Sequence, residues 1–175
     1  MAFKESNMNH KYLRYYIGCK CDIGKSRPIL PRDGVLLLQS VDVACMQSRV
    51  GWYYPDYSDT CTHSDSIYMS LKVDLPKPII HRLIDMDEET AMGLVAFKKD
   101  LERYPVFDIE VHDCEQFHAI GFYYQDSKVY DCIRTSELSS EQIEYLLGGN
   151  PQGKYFDLWN LIDSGDAIDA KNYQL

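Results

Sequence analysis

The sequence predicts an α+β fold: a mainly antiparallel sheet with one long helix, over about residues 87–103, packed on it, and short helices towards the C-terminus. Three observations predict it. Apolar and polar residues alternate in several short runs joined by turn residues, which favours hairpins over the long crossovers that parallel strands need. One stretch, MDEETAMGLVAFKKDLER, has acids in its first turn and Lys98, Lys99 and Arg103 in its last, matching the helix dipole. With 175 residues, 45% hydrophobic and 26% charged, the chain is sized for a single domain, 1–175, with a sizeable core.

Residues 1–10 are polar, lack the apolar stretch of a signal peptide, and are the candidate for a disordered end. Residues 11–22, KYLRYYIGCKCD, set Leu13, Tyr15, Ile17 and Cys19 on one face and read as a strand. A connection containing Pro28, Pro31 and Asp33-Gly34 then leads into the apolar run 35–38, completing a hairpin. Residues 39–49 fit both helical spacing and alternation, and are read as a short helix. Residues 52–66, WYYPDYSDTCTHSDS, hold no aliphatic side chain and read as a surface loop. Alternation returns at 67–73, a strand stopped by Pro76 and Pro78.

Asp85 or Asp87 caps the long helix, whose core stripe is Leu94, Phe97 and Leu101 with Met86 and Thr90, and Pro105 ends it. Residues 106–111 and 119–124 alternate, and a turn at 125–128 leads into 129–133, making a sheet. Ser139 or Ser140 caps a short helix, EQIEYLL, that Gly148 and Gly149 terminate, and 156–162 forms a last helical turn or two closed by Gly165.

The charge is uneven. Residues 1–84 hold 11 Lys and Arg against 8 Asp and Glu, whereas residues 85–175 hold 7 against 19. An acidic second half repels phosphate backbones, which argues against sequence-independent nucleic-acid binding there. No run reaches the roughly 18 apolar residues of a membrane span. A cytoplasmic protein is expected. Six cysteines in a chain of this size and compartment argue for thiols, not for a disulfide framework.

Two segments carry a resemblance. Residues 77–90, KPIIHRLIDMDEET, and residues 145–170, YLLGGNPQGKYFDLWNLIDSGDAIDA, resemble segments of a family of phage and prophage proteins from Bacteroides-type gut bacteria. His81 and Arg82 stand where that family commonly has Arg and Pro. In the second segment, Asn150 to Gly153 lengthens the connection and Trp159-Asn160 replaces Phe-Gly. The family has no assigned activity, so the resemblance implies a phage or prophage origin and a bacterial host cytoplasm, and supplies no catalytic residues.

Cys19-x-Cys21 and Cys61-x-His63 are the metal candidates, since an i, i+2 pair on a strand shares one face. Zinc pairs usually have two to four intervening residues, so no metal and no cofactor is expected. Cys114 and Cys132 with His112 and His118 invite a thiol-hydrolase reading, but no nucleophile motif surrounds either cysteine. Phosphate loops, dinucleotide glycine fingerprints and zinc-protease motifs are missing from the sequence. The compositional excess is aromatic, with 14 Tyr, 6 Phe and 2 Trp. Trp52, Tyr53, Tyr54 and Tyr57 cluster in the polar segment 51–66, which makes them the candidate partner-binding residues. The leading expectation is therefore a non-enzymatic accessory protein that binds a protein partner. The alternatives are a small thiol- or metal-dependent hydrolase and a virion or assembly component.

Overall fold

The computed structural model of the chain describes residues 10–24, 35–53, 66–71, 75–97, 106–113, 118–124 and 130–173. The chain groups into two compact units, Met1–Ile79 with Asp163–Ile168 and Asn172–Leu175, and Ile80–Ile162 with Asp169–Lys171.

In the first unit, helix α1 (His10–Leu13) and a 3-10 turn (Arg14–Tyr16) precede the two-residue strand β1 (Cys21–Asp22). The strand expected over 11–22 is thus helical in its first half, and only its end, β1, is a strand. Leu13, Tyr16 and Cys19, spaced by three, are buried, with Cys21 buried in β1, whereas Tyr15 and Ile17, on the supposed apolar face, are exposed. Strands β2 (Val35–Asp42), β3 (Gln47–Tyr53) and β4 (Ser66–Ser70) form an antiparallel sheet in that order. The helix expected over 39–49 is instead the β2–β3 hairpin. Asp42 Oδ1 accepts the Cys45 N–H at 2.8 Å, and Met46 turns the chain with φ 51°. Strand β5 (Lys77–Ile80) pairs with β1, setting Pro78 opposite Cys21.

In the second unit, β6 (Val106–Asp113), β7 (His118–Tyr124) and β8 (Tyr130–Arg134) form a second antiparallel sheet, where the sequence predicts one. Helix α2 (Glu88–Ala96) starts on Asp87, whose side chain accepts the Thr90 N–H. Helix α3 (Ser140–Leu146) starts on a full capping box between Ser139 and Gln142. Helix α4 (Leu161–Ser164) and strand β9 (Ile168–Asp169) follow in the chain, each divided between the two units.

The expected α+β class, with a long helix on a sheet, is overturned. The fold is mostly β, and α2 and α3, with nine and seven residues, are the longest helices among the described residues. The cap and acidic first turn mark where α2 begins, but neither sets its length. Phe97, expected in the core stripe, is the exposed C-cap, edge-on to Tyr145 at 5.7 Å, and Leu101 lies outside the described residues. The core of this unit joins Leu94 and Val95 of α2 to Ile120, Phe122 and Ile133 of the sheet, with Leu146, Phe156 and Leu158. Each such side chain contributes about 1.5–3 kcal/mol on burial.

The C-terminal part of this unit is held by polar side chains turned onto backbone. Asn150 donates to the carbonyls of Tyr145 (2.9 Å) and Lys154 (2.6 Å) and accepts the Lys154 N–H at 2.9 Å, closing the lengthened turn. Buried Asp157 accepts the N–H groups of Leu161 and Ile162 at 2.8 and 2.9 Å, which caps the start of α4. Asn160, standing where the resembled segment has glycine, takes φ 57°. His81 bridges in parallel to Phe156.

Candidate protein-binding face

Alternation along β2, β3 and β4 divides that sheet into two faces. One carries Leu36, Leu38, Val50 and Met69, all buried. On the other, the register places Ser40, Arg49 and Tyr68 in one row and Leu37, Gly51 and Ser66 in the next. Gln39 is the extra residue of a bulge between Leu38 and Ser40. Its carboxamide lies over Gly51, in the space a β-carbon would fill.

Tyr68 is 68% exposed, more than any other large hydrophobic side chain among the described residues. Its ring carries the Arg49 guanidinium at 5.7 Å from the centroid. The Arg49 Nε–H in turn donates to Ser66 Oγ at 2.7 Å. Two contacts therefore hold the guanidinium, and its terminal N–H groups have no acceptor among the described residues. Neighbouring strands thus present an aromatic ring and a planar cation side by side, with short serines around them. Such a pair offers contact area and directional donors at low ordering cost, the combination that dominates binding energy at protein interfaces.

The predicted partner-binding residues divide. Trp52 and Tyr53 are not in a loop but in β3, opposite Leu36 and Val35, because the strand's pairing continues through the aromatic pair. Tyr54 and Tyr57 lie outside the described residues. Arg49, Ser66 and Tyr68 escaped the sequence reading, although a signal was present: Arg49 is the only Lys or Arg between Arg32 and Lys72, and Tyr68 occupies a polar phase of its strand's alternation.

Of the metal candidates, Cys19 and Cys21 are buried, and Cys61 and His63 lie outside the described residues. Burial, and then the neighbouring Cys21, pushes the Cys19 thiol far up, and burial with Asp22 pushes Cys21 up to about 12. Cys19 donates its S–H to the Ile79 carbonyl at 3.2 Å. Both are protonated at neutral pH and poorly suited to bind metal or attack a substrate. Among the described residues, no group of three or more His, Cys, Asp or Glu side chains converges to hold a metal ion.

The thiol-hydrolase set is also separated. His112 Nε2 lies 3.1 Å from Glu110 Oε2, which also accepts the Tyr123 hydroxyl at 3.1 Å. Cys132 is on β8, opposite Gly121, which is itself opposite Glu110, so two strand spacings of roughly 5 Å each separate it from the strand of His112. His118 follows the opposite phase of β7, and Cys114 lies outside the described residues.

Comparison with protein-family models, curated proteins and solved structures finds no match. Among the described residues, no helix is long and apolar enough to cross a membrane.

Proposed function

We propose that this chain is a non-enzymatic binding protein that captures a protein partner on the outer face of the β2–β3–β4 sheet. One observation carries the reading: Tyr68, the most exposed large hydrophobic side chain among the described residues, is arranged in advance against a cation that Ser66 holds in place. The resemblance of residues 77–90 and 145–170 to phage and prophage proteins supports a partner in the bacterial cytoplasm. Thiol chemistry is disfavoured, because Cys19 and Cys21 are buried and protonated while Cys132 and His112 stand on strands that are not neighbours.

The test is capture from a Bacteroides-type host lysate by the immobilised chain, with bound proteins identified by mass spectrometry. A protein held by the parent and lost with Tyr68→Ala, at unchanged melting temperature, supports the reading. Partners held equally by the parent, Tyr68→Ala and Arg49→Ala would refute it.

A further inference from the structure

The two described arginines of the second unit each pair with a carboxylate, Arg82 with Asp169 at 2.9 Å and Arg134 with Glu137 at 3.3 Å. Arg49 does not. Arg14 likewise meets a tyrosine, but it engages a terminal nitrogen there, donating to the Tyr15 hydroxyl at 3.0 Å. Arg49 is instead surrounded on its face by Ser40, Ser66, Gly51 and the Tyr68 ring, none of which neutralises it.

Its geometry is already that of a receptor. With Nε–H engaged by Ser66 and the guanidinium carbon 5.7 Å from the Tyr68 ring centroid, the two terminal nitrogens remain as a fork. Such a fork matches the two oxygens of a carboxylate, and holding it in place beforehand reduces the entropy lost when the pair forms. Each terminal nitrogen can donate one N–H to one carboxylate oxygen. We infer that the partner segment held on this face presents a carboxylate, from Asp, Glu or a chain terminus, to Arg49. This rests on the protein-binding reading above. A phosphate would suit the same fork, but Arg49 is the only Lys or Arg between Arg32 and Lys72, so these strands offer one cation, which suits a single carboxylate better than the repeated phosphates of a nucleic acid.

The probes are two short soluble peptides, one alternating Glu and Thr and the other alternating Gln and Thr, together with single-stranded oligothymidylate. Each is titrated into the ¹⁵N-labelled full chain while the Arg49 Nε–H and Tyr68 amide resonances are followed. The Glu peptide should shift both and bind about tenfold more tightly than the Gln peptide, an advantage that Arg49→Gln should remove. No binding of the Glu peptide at this face, equal binding of both peptides, or an advantage that survives in Arg49→Gln would overturn the inference. Tighter binding of oligothymidylate through the same resonances would overturn it in favour of nucleic acid. The two readings fail separately. Equal binding of both peptides, abolished by Tyr68→Ala, removes the carboxylate and keeps the face, whereas no shift together with lysate capture unaffected by Tyr68→Ala removes both.

Discussion

The hydroxyl of Tyr145 lies against the backbone of Gly93, in the space that a β-carbon at that position would occupy. Gly93 sits in the middle of α2 and Tyr145 in α3, so the glycine lets the ring come flush against the first helix. Glycine in a helix interior normally costs about 1 kcal/mol relative to alanine. Here the added methyl meets the ring, and Gly93→Ala should lower stability by about 1–2 kcal/mol in chemical denaturation. Tyr145→Phe in the same chain should restore part of the loss, because the hydroxyl is the nearest atom. A Gly93→Ala protein more stable than the parent would show that the helices do not meet there.

Ser48 provides a second stability test. It is 2% exposed, on the same side of the sheet as Val50 and Met69, and its Oγ has no hydrogen-bond partner among the described residues. A buried hydroxyl without a partner costs about 1–3 kcal/mol in desolvation, so Ser48→Ala should raise stability by about 1 kcal/mol. A loss of that size on denaturant titration would mean that the hydroxyl is satisfied in solution.

His81 should make stability depend on pH. Burial first, and Lys154 second, hold its pKa below 6.5, while Asp85, Asp169 and Asp87 pull the other way. Those carboxylates are already engaged, Asp169 by Arg82, Asp87 by Lys154 and Asp85 by Lys171. The ring packs on Phe156 at 5.9 Å. Because the folded pKa lies below the unfolded one, the stabilisation is complete above the unfolded value and is lost as pH falls through it towards the folded value. Between about pH 7.5 and 5.5 the parent should therefore lose more stability than His81→Gln does. Parallel curves for the two proteins would exclude His81 as the source.

Asn160 tests a backbone conformation. At φ 57° it is in the left-handed region, which glycine enters without strain and asparagine tolerates better than most residues. Asn160→Gly should leave the melting temperature nearly unchanged, whereas Asn160→Val should cost about 1–2 kcal/mol. Equal effects from the two substitutions would place the turn in another conformation.

The elements readable in the sequence are those set by near neighbours. Asp87 and Ser139 announce their helices because a cap acts across three residues, and Ile67 and Met69 announce β4 because a strand repeats every two. Where two periods coincide, the reading failed: Leu13, Tyr16 and Cys19 decide the first segment, but Tyr15 and Ile17 lie between them and complete a false alternation. Gln39 hides the true register of β2 by adding one residue to it. The candidate face was legible only in its parts. Arg49 meets Tyr68 through the register of β3 and β4, and register is settled by the whole sheet and not by either residue's neighbours in sequence.

The solitary cation on this face has a kinetic consequence. Close up, Arg49 attracts a carboxylate, but a partner of net negative charge that comes within a Debye length, about 10 Å at 0.1 M salt, also meets the chain's net charge of −9, which is repulsive. Encounter is then slowed by the same molecule that holds the partner once it arrives. Added salt should consequently quicken association while shortening the life of the complex, the reverse of the first effect seen for oppositely charged proteins. Selection for such a partner would act on how long it stays, because the approach offers no guidance.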